Sequence, residues 1–416
     1  MNRPGSAQRV GERRGPGLSA WRFVIAFGTV SLLADFVYEG ARSITGPLLA
    51  HLGATAAVVG VVTGIGEAAA LVLRLGSGPL ADRTRRFWAW TISGYALTVI
   101  TVPVLGLASA LWVACALVIA ERVGKAVRSP AKDTLLSHAT AATGRGKGFA
   151  VHEAMDQIGA LIGPLVVAGI LAATGDHYAP ALGVLALPGL AVLLMLFWLR
   201  ARVPDPTQYE IPAPAPSGGS SAEAAPGPPV RERLPRAFWI YAAFTAATMS
   251  GFATFGVLSF HLITEHLLTT AAVPVLYAGA MATDAVAALA TGWAYDRIGP
   301  KGLAVLPVLA AAVPVLAFTS SVALAVVGAL VWGAAMGVQE STLRATVADL
   351  VGPHRRATAY GIFAAVVGAA TAAGGALAGV LYDVSIPALI TVTACIQAAA
   401  LTLLAVTRPG PSGPAA

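Results

Sequence analysis

Charge is what this sequence lacks most. Only 11% of its residues are Asp, Glu, Lys or Arg, against about 25% in an ordinary soluble domain. An aqueous surface cannot be covered with so few, which excludes a soluble globular fold. Cysteine is nearly absent too. Cys115 and Cys395 fall within long apolar runs in opposite halves, leaving no disulfide framework and no thiolate metal site. The phosphate-binding pattern Gly-x4-Gly-Lys-Ser/Thr occurs nowhere, which excludes an ATP-driven pump. No Cys/His cluster and no oriented nucleophile stands out, Ser129 and Ser341 included, so no metal, no cofactor and no enzymatic activity are expected. The net charge of +7 comes from basic residues spread through short loops rather than along a stripe interleaved with aromatics. A nucleic-acid partner is therefore not expected.

What is present is apolar length. Hydrophobic residues make up 56% of the chain, and a membrane-crossing helix needs roughly 20 of them in a row. Spans are expected near 20–47, 55–79, 88–107, 110–132, 148–173 and 179–200, then near 237–263, 271–294, 302–319, 321–344, 357–381 and 385–407. The expected fold class is an all-α membrane protein of twelve transmembrane helices with the lipid bilayer as its main partner. The start of the chain carries Arg3, Arg9, Arg13 and Arg14, but the stretch after these arginines is too long and too charged for a signal peptide. It is expected to remain as the first span.

Loop charge gives an orientation. Arg83, Arg85 and Arg86, Arg145 and Lys147, Arg200 and Arg202, Arg231, Arg233 and Arg236, Arg297 and Lys301, Arg355 and Arg356, and Arg408 all fall on one side of the twelve-span alternation. The other loops, near 51–54, 107–110, 174–178, 264–270, 318–322 and 382–385, hold no Lys or Arg. The positive-inside rule then places both termini in the cytoplasm and the chain in the cytoplasmic (inner) membrane. Residues 203–236 are rich in Pro, Ala, Ser and Gly, the composition of a flexible linker. The expected organisation is a tail over 1–19, six spans over 20–202, the linker over 203–236, six spans over 237–407 and a tail over 408–416.

The halves repeat. Gly78-Pro-Leu-Ala-Asp82-Arg83 recurs as Gly292-Trp-Ala-Tyr-Asp296-Arg297, and Arg128-x4-Asp133 recurs as Arg344-x4-Asp349, at offsets of 214 and 216 residues. These loops resemble the signature of the major facilitator superfamily. The usual glycine after Asp-Arg is replaced by Arg85 in the first copy and kept as Gly299 in the second. Gly159-x3-Gly163-Pro164 in the fifth span is similar to the antiporter motif of that family's exporters, but has Val167 and Ala168 where the closing glycine pair stands. The resemblance covers the whole chain. It implies two six-helix bundles around a central cavity, alternating access driven by an ion gradient or by exchange, and a monomer as the working unit. It also implies that Gly78, Asp82, Arg83, Arg128, Asp133, Gly292, Asp296, Arg297, Arg344 and Asp349 form a cytoplasmic gate. Parallel repeats by themselves place a substrate site at their interface near the midplane.

Ionisable groups within the spans are the candidates for coupling and substrate binding, because such groups are costly in the bilayer and face a cavity or a partner. In the first span Asp35, Tyr38 and Arg42 share a helical face, with Glu39 one turn from Asp35. An Asp35–Arg42 or Glu39–Arg42 pair would fix packing; alternatively Asp35 or Glu39 carries a proton. Glu67 and Arg74 lie in the second span, Glu121, Arg122 and Lys125 in the fourth, and His152, Glu153, Asp156 and Gln157 in the fifth. Arg122 or Lys125 could pair with Glu153 or Asp156. The second half is plainer, with Asp284, Gln339 and Glu340 as its buried polar groups. Phe252, Phe255, Phe260 and Tyr277 are expected either to pack or to form an apolar wall for a substrate. Two functions are consistent with these residues: proton-coupled export of small amphipathic compounds or metabolites, or proton-coupled import of a polar or anionic metabolite favoured by Arg42, Arg74, Arg122 and Lys125. A non-transporting sensor would need a folded output domain, and the linker and tails have the composition of none.

Overall fold

The computed structural model describes residues 17–209, 234–352 and 355–406, and no strand occurs among them. The first half consists of α1 (Ala20–His51), α2 (Ala56–Val72) continued by α3 (Arg74–Thr84), α4 (Phe87–Leu105), α5 (Leu111–Thr143), α6 (Arg145–Thr174), and α7 (Tyr178–Gly183) followed by α8 (Ala186–Arg202). The second half consists of α9 (Arg236–Ser250) with α10 (Phe255–Thr264), α11 (Ala272–Ile298), α12 (Val305–Ala317), α13 (Val322–Leu350), α14 (Arg356–Val384) and α15 (Ile386–Val406). Among the described residues, ten spans are long and apolar enough to cross a membrane. The remaining two are the shorter α12 and the charged α5, which completes the expected twelve.

Two elements depart most from expectation. α5 continues to Thr143 rather than ending near residue 132, because Leu135, Leu136 and Ala139 keep an apolar face buried past its charged stretch. The seventh span is not one helix. It unwinds between Ser250 and Phe255, and the freed carbonyls are met from inside the protein: Gln397 Nε2 donates to Thr248 O at 2.9 Å and Trp332 Nε1 to Ala253 O at 2.9 Å. Broken backbone at membrane depth is tolerated where the protein itself supplies such partners.

The spans alternate in direction. One end of the first half gathers Phe23 and Phe27 of α1, Trp88 of α4, Leu135 and Leu136 of α5, and Leu196 and Leu199 of α8. The other end gathers Leu48 and Leu49 of α1, Ala56 of α2, Leu105 of α4 and Leu171 of α6. Arg83, Arg85, Arg86, Arg200 and Arg202 stand at the first end, the basic face of the molecule. The chain past α8 stays on this face: Pro206–Tyr209 forms a short 3-10 turn, and Tyr209 donates to Leu18 O at 2.9 Å while its ring lies 5.6 Å from Phe23. The expected linker is thus packed at its beginning; residues 210–233 lie outside the described residues.

The repeated loop explains its own departure. Arg85 closes α3 at φ 54 and ψ 17, the left-handed helical region, which a non-glycine side chain can occupy at a modest cost. Its counterpart Gly299 sits at φ 62 and ψ −153, a region open essentially to glycine alone. The first copy could lose its glycine and the second could not.

The halves are sealed together away from the basic face. A Cβ on Gly60, Gly64 or Gly379 of the α2–α14 seam would run into the backbone of Gly375, Ala372 or Ala56, the close helix approach that small residues permit in membranes. Thr63 and Thr254 share a hydrogen bond of 2.8 Å across the seam. The carboxylate of Asp383, at the end of α14, accepts from Ala56 N at 3.1 Å and Ala57 N at 2.8 Å at the start of α2, where unpaired N–H groups and the helix dipole both favour an anion. Phe260 of α10 adds its ring to the first half's core.

Candidate functional site

Below this seal the halves separate around a central cavity with two connected lobes of about 400 and 220 Å³. Glu39, Arg42, Arg74, Lys125, Met336 and Glu340 border both lobes. Asp133 and Glu153, both exposed, border the smaller lobe, so the cavity is continuous with the surface on the basic face.

One wall is a network of charge. Glu67 Oε1 of α2 receives Arg42 Nη2 of α1 at 3.0 Å and Arg122 Nη1 of α5 at 3.2 Å. Arg42 Nη1 also reaches Glu39 Oε1 at 3.6 Å, and Arg122 Nε reaches Glu121 Oε2 at 3.3 Å. The Arg122–Glu67 contact is an ion pair without hydrogen-bond alignment, and Glu121 Oε1 has no hydrogen-bond partner among the described residues. Buried ions persist where they are paired in this way. Glu39 further accepts the hydroxyl of Tyr277 from α11, a bond between the halves.

Lys125 differs from its neighbours. Its Nζ stands 4.0 Å from the centre of the Tyr38 ring, beside Arg122 at 4.5 Å, a favourable arrangement for a cation at an aromatic face. Among the described residues it has no ion pair within 4.0 Å. It faces the larger lobe, whose other wall is supplied mainly by Met336, Leu343, Phe363 and Val367 of α13 and α14. Among the described residues, Tyr38 Oη and Gln339 Oε1 are buried without hydrogen-bond partners and belong to residues lining the same lobe.

Toward the basic face lies a second cluster. Lys132 Nζ and His152 Nδ1 stand 3.8 and 3.4 Å from Asp156 Oδ2, and His152 Nε2 shares a hydrogen bond of 2.8 Å with Ser31. Arg128 is buried, stacked over Tyr95 at 4.6 Å and donating to Thr98 at 3.1 Å.

The structure thus brings Asp35, Tyr38, Glu39, Arg42, Glu67, Arg74, Lys125, Asp156, Asp284 and Glu340 to the cavity, with Glu121 and Arg122 just behind its wall. Of the two pairs expected for Arg42, the one with Glu39 is present, joined by Glu67, and Asp35 makes no ion pair among the described residues. Arg122 pairs within its own wall, and Asp156 takes Lys132 in place of Lys125 or Arg122. Phe252 and Phe255 are packed against Trp332, at 6.2 and 5.3 Å, and do not form an apolar wall. Arg128 is buried and borders the smaller lobe, as Asp133 does. Asp82 and Arg83 are exposed and make no ion pair among the described residues. A Cβ on Gly78 would meet Pro130 at an ordinary contact distance, Gly292 has open space around it, and Arg297 is exposed. The side chains of Asp296, Arg344 and Asp349 lie outside the described residues. The glycines of the antiporter-like segment are contact points: a Cβ on Gly159 or Gly163 would strike the carbonyl of Leu32 or Phe36 on α1, with Pro164 next in α6.

Lys132 and the hydroxyl of Tyr277 are the partners that sequence reasoning missed. Lys132 was legible as the next step of the α5 series 122, 125, 128 once the helix is carried past its expected end. Nothing in the sequence joins Tyr277 to Glu39, 238 positions away.

Twelve spans in two halves around a charged cavity form the architecture of a membrane transporter. The chain belongs to the Major Facilitator Superfamily, whose family model matches residues 27–283 and 240–416. An uncharacterized protein of Mycobacterium tuberculosis is 65% identical over 396 residues, covering 95% of both chains. An uncharacterized MFS-type transporter of Methanocaldococcus jannaschii is 24% identical over 366 residues, covering 87% of this chain and 89% of that one. Among solved structures, a mutant of the nucleoside transporter NupG superposes with a TM-score of 0.74 at 13% identity, covering 93% of this chain and 100% of that one, which shows the shared fold.

Proposed function

We propose that the chain is a proton-coupled secondary transporter that moves a small amphipathic organic anion across the cytoplasmic membrane by alternating access. Lys125 carries this reading: a cation with no ion pair within 4.0 Å among the described residues, placed opposite a mainly apolar wall. An acid group would balance Lys125 and accept from Tyr38, while an apolar body would lie against Met336, Phe363 and Val367. A lobe of about 400 Å³ is of the size that holds a small organic molecule. Protons suit the coupling role because Asp35, Glu39 and Asp284 stand in or beside the cavity. With the basic face cytoplasmic, as loop charge favours, the cavity is open inward and sealed outward, and Asp133 borders the lobe on the side that must close. The exporter-like segment Gly159, Gly163 and Pro164 supports export over import.

A ligand of the folded state raises its apparent stability by mass action, by about 2.7 kcal/mol at one hundred times its Kd. In a thermal-shift assay of purified protein, phenylacetate and phenylpropionate should raise the melting temperature, and their amides and the matching ammonium ions should not. Lys125→Gln should remove the shift. Equal stabilisation by the ammonium ions, or a full shift in Lys125→Gln, would contradict the proposal. Flux of the stabilising acid in proteoliposomes then reads the direction and the proton dependence.

A further inference from the structure

Near the sealed seam the hydroxyl of Tyr277 on α11 crosses from the second half to Oε2 of Glu39 on α1. Both ends of this bond are held rigidly. The Tyr277 ring is fully buried, edge-on to Phe255 at 4.5 Å and 6.3 Å from Trp332. Glu39 is buried and tied to Arg42 at 3.6 Å, which holds Glu67 at 3.0 Å, which in turn holds Arg122 at 3.2 Å. A shift of charge at Glu39 is therefore felt by the aromatic core of one half and by the ion network of the other.

We infer that Tyr277 is the residue through which the second half senses whether Glu39 carries a proton, so that protonation of Glu39 controls the seal on the face opposite the basic one. The inference rests on the proposal of proton coupling. A hydroxyl donated to an ionised carboxylate makes a charge-assisted bond, roughly twice as strong as its neutral counterpart. A proton on Glu39 turns the link into an ordinary hydrogen bond and leaves Arg42 to Glu67 alone. A ligand, here a proton, shifts a conformational equilibrium only through its different affinity for the two states. A link that reaches between the halves near the seal supplies that difference. By reciprocity, closing the seal favours loss of the proton into the cavity, which faces the basic side.

Other titratable and charged groups surround Glu39: Asp35 on its own helix, Glu121 and Lys125 on α5, and Asp284 on α11. Arg74 on α3, Asp156 on α6 and Glu340 on α13 border the lobes it shares. All of them are unchanged when only the hydroxyl is removed, so Tyr277→Phe isolates the link while keeping the ring.

The test uses the full chain in lipid nanodiscs without substrate. Cys115 and Cys395 are replaced by Ala, and spin labels are placed at Leu107 and Ser321, exposed positions on the two sides of the sealed face. In the wild-type background the separation should be short at pH 8, and a longer population should grow toward pH 5. Tyr277→Phe should weaken this change in the population ratio by at least about fivefold, the lower end of typical coupling between sites. Glu39→Gln should hold the acid-like distribution at every pH. A Tyr277→Phe protein that follows the parent's pH curve overturns the link while leaving proton coupling intact. A parent protein that ignores pH overturns the link and proton coupling together.

Discussion

The two halves share a six-span plan and a repeated loop, yet they bring different chemistry to the cavity between them. The first half contributes Asp35, Glu39, Arg42, Arg74 and Lys125, backed by the Glu67–Arg122–Glu121 network. The second contributes mostly apolar side chains, and behind them an aromatic core of Phe252, Phe255, Tyr277 and Trp332. The repeat preserves what the fold needs at its loop turns. The cavity walls, which the fold leaves free, have diverged. A fold of this kind hosts many specificities because its sites are grafted onto it.

The strongest way to break the comparison is to unbalance each wall in turn. Arg42→Ala leaves Glu39 and Glu67 without their shared cation, and removing one partner of a buried pair costs about 3–5 kcal/mol. The protein should lose its monodisperse peak on detergent size-exclusion chromatography or melt far earlier. Asp284→Asn in the second half should be neutral or stabilising by the same assays, since Asp284 Oδ1 is buried without a hydrogen-bond partner among the described residues. Equal losses in the two variants would show that both walls are charge networks.

Next in size is helix packing. Gly159→Val would drive a branched side chain into the backbone of α1, and overpacking of that kind costs roughly 1–3 kcal/mol. The repeated-loop glycine Gly292 meets nothing within 4 Å, so Gly292→Ala should leave the melting temperature unchanged. The smallest expected effect is Arg85→Gly. It relieves a left-handed backbone at a non-glycine residue and should be neutral or stabilising by up to about 1 kcal/mol. A clear loss of stability there would mean that the Arg85 side chain holds the turn.

Much of this organisation is legible in the residues. Apolar run length marks the spans, loop arginines mark one face, and Gly78-to-Arg83 against Gly292-to-Arg297 marks the duplication. The acid and base series on α1 and α5 locates the cavity because ions in the bilayer need partners. What is not legible is who those partners are. Helical spacing allows Asp35 to share a face with Arg42, but Glu67 approaches from another helix and takes the arginine instead. The break at Ser250–Phe255 is equally hidden, since Gln397 and Trp332, which satisfy it, come from distant spans. The packing of Phe252 and Phe255 against Trp332 is likewise a matter of tertiary contact and leaves no local pattern.

The central claim, that the cavity must open alternately on the two faces, is tested most directly by locking the sealed one. Thr63 and Thr254 have side-chain oxygens 2.8 Å apart across the seam, close enough for a pair of cysteines placed there to bridge. In the background without Cys115 and Cys395, the oxidised Thr63→Cys, Thr254→Cys protein should still be stabilised by the carboxylate ligand entering from the basic face. Its transport of that ligand should cease, and a reductant should restore it. Undiminished transport by the fully cross-linked protein would contradict alternating access.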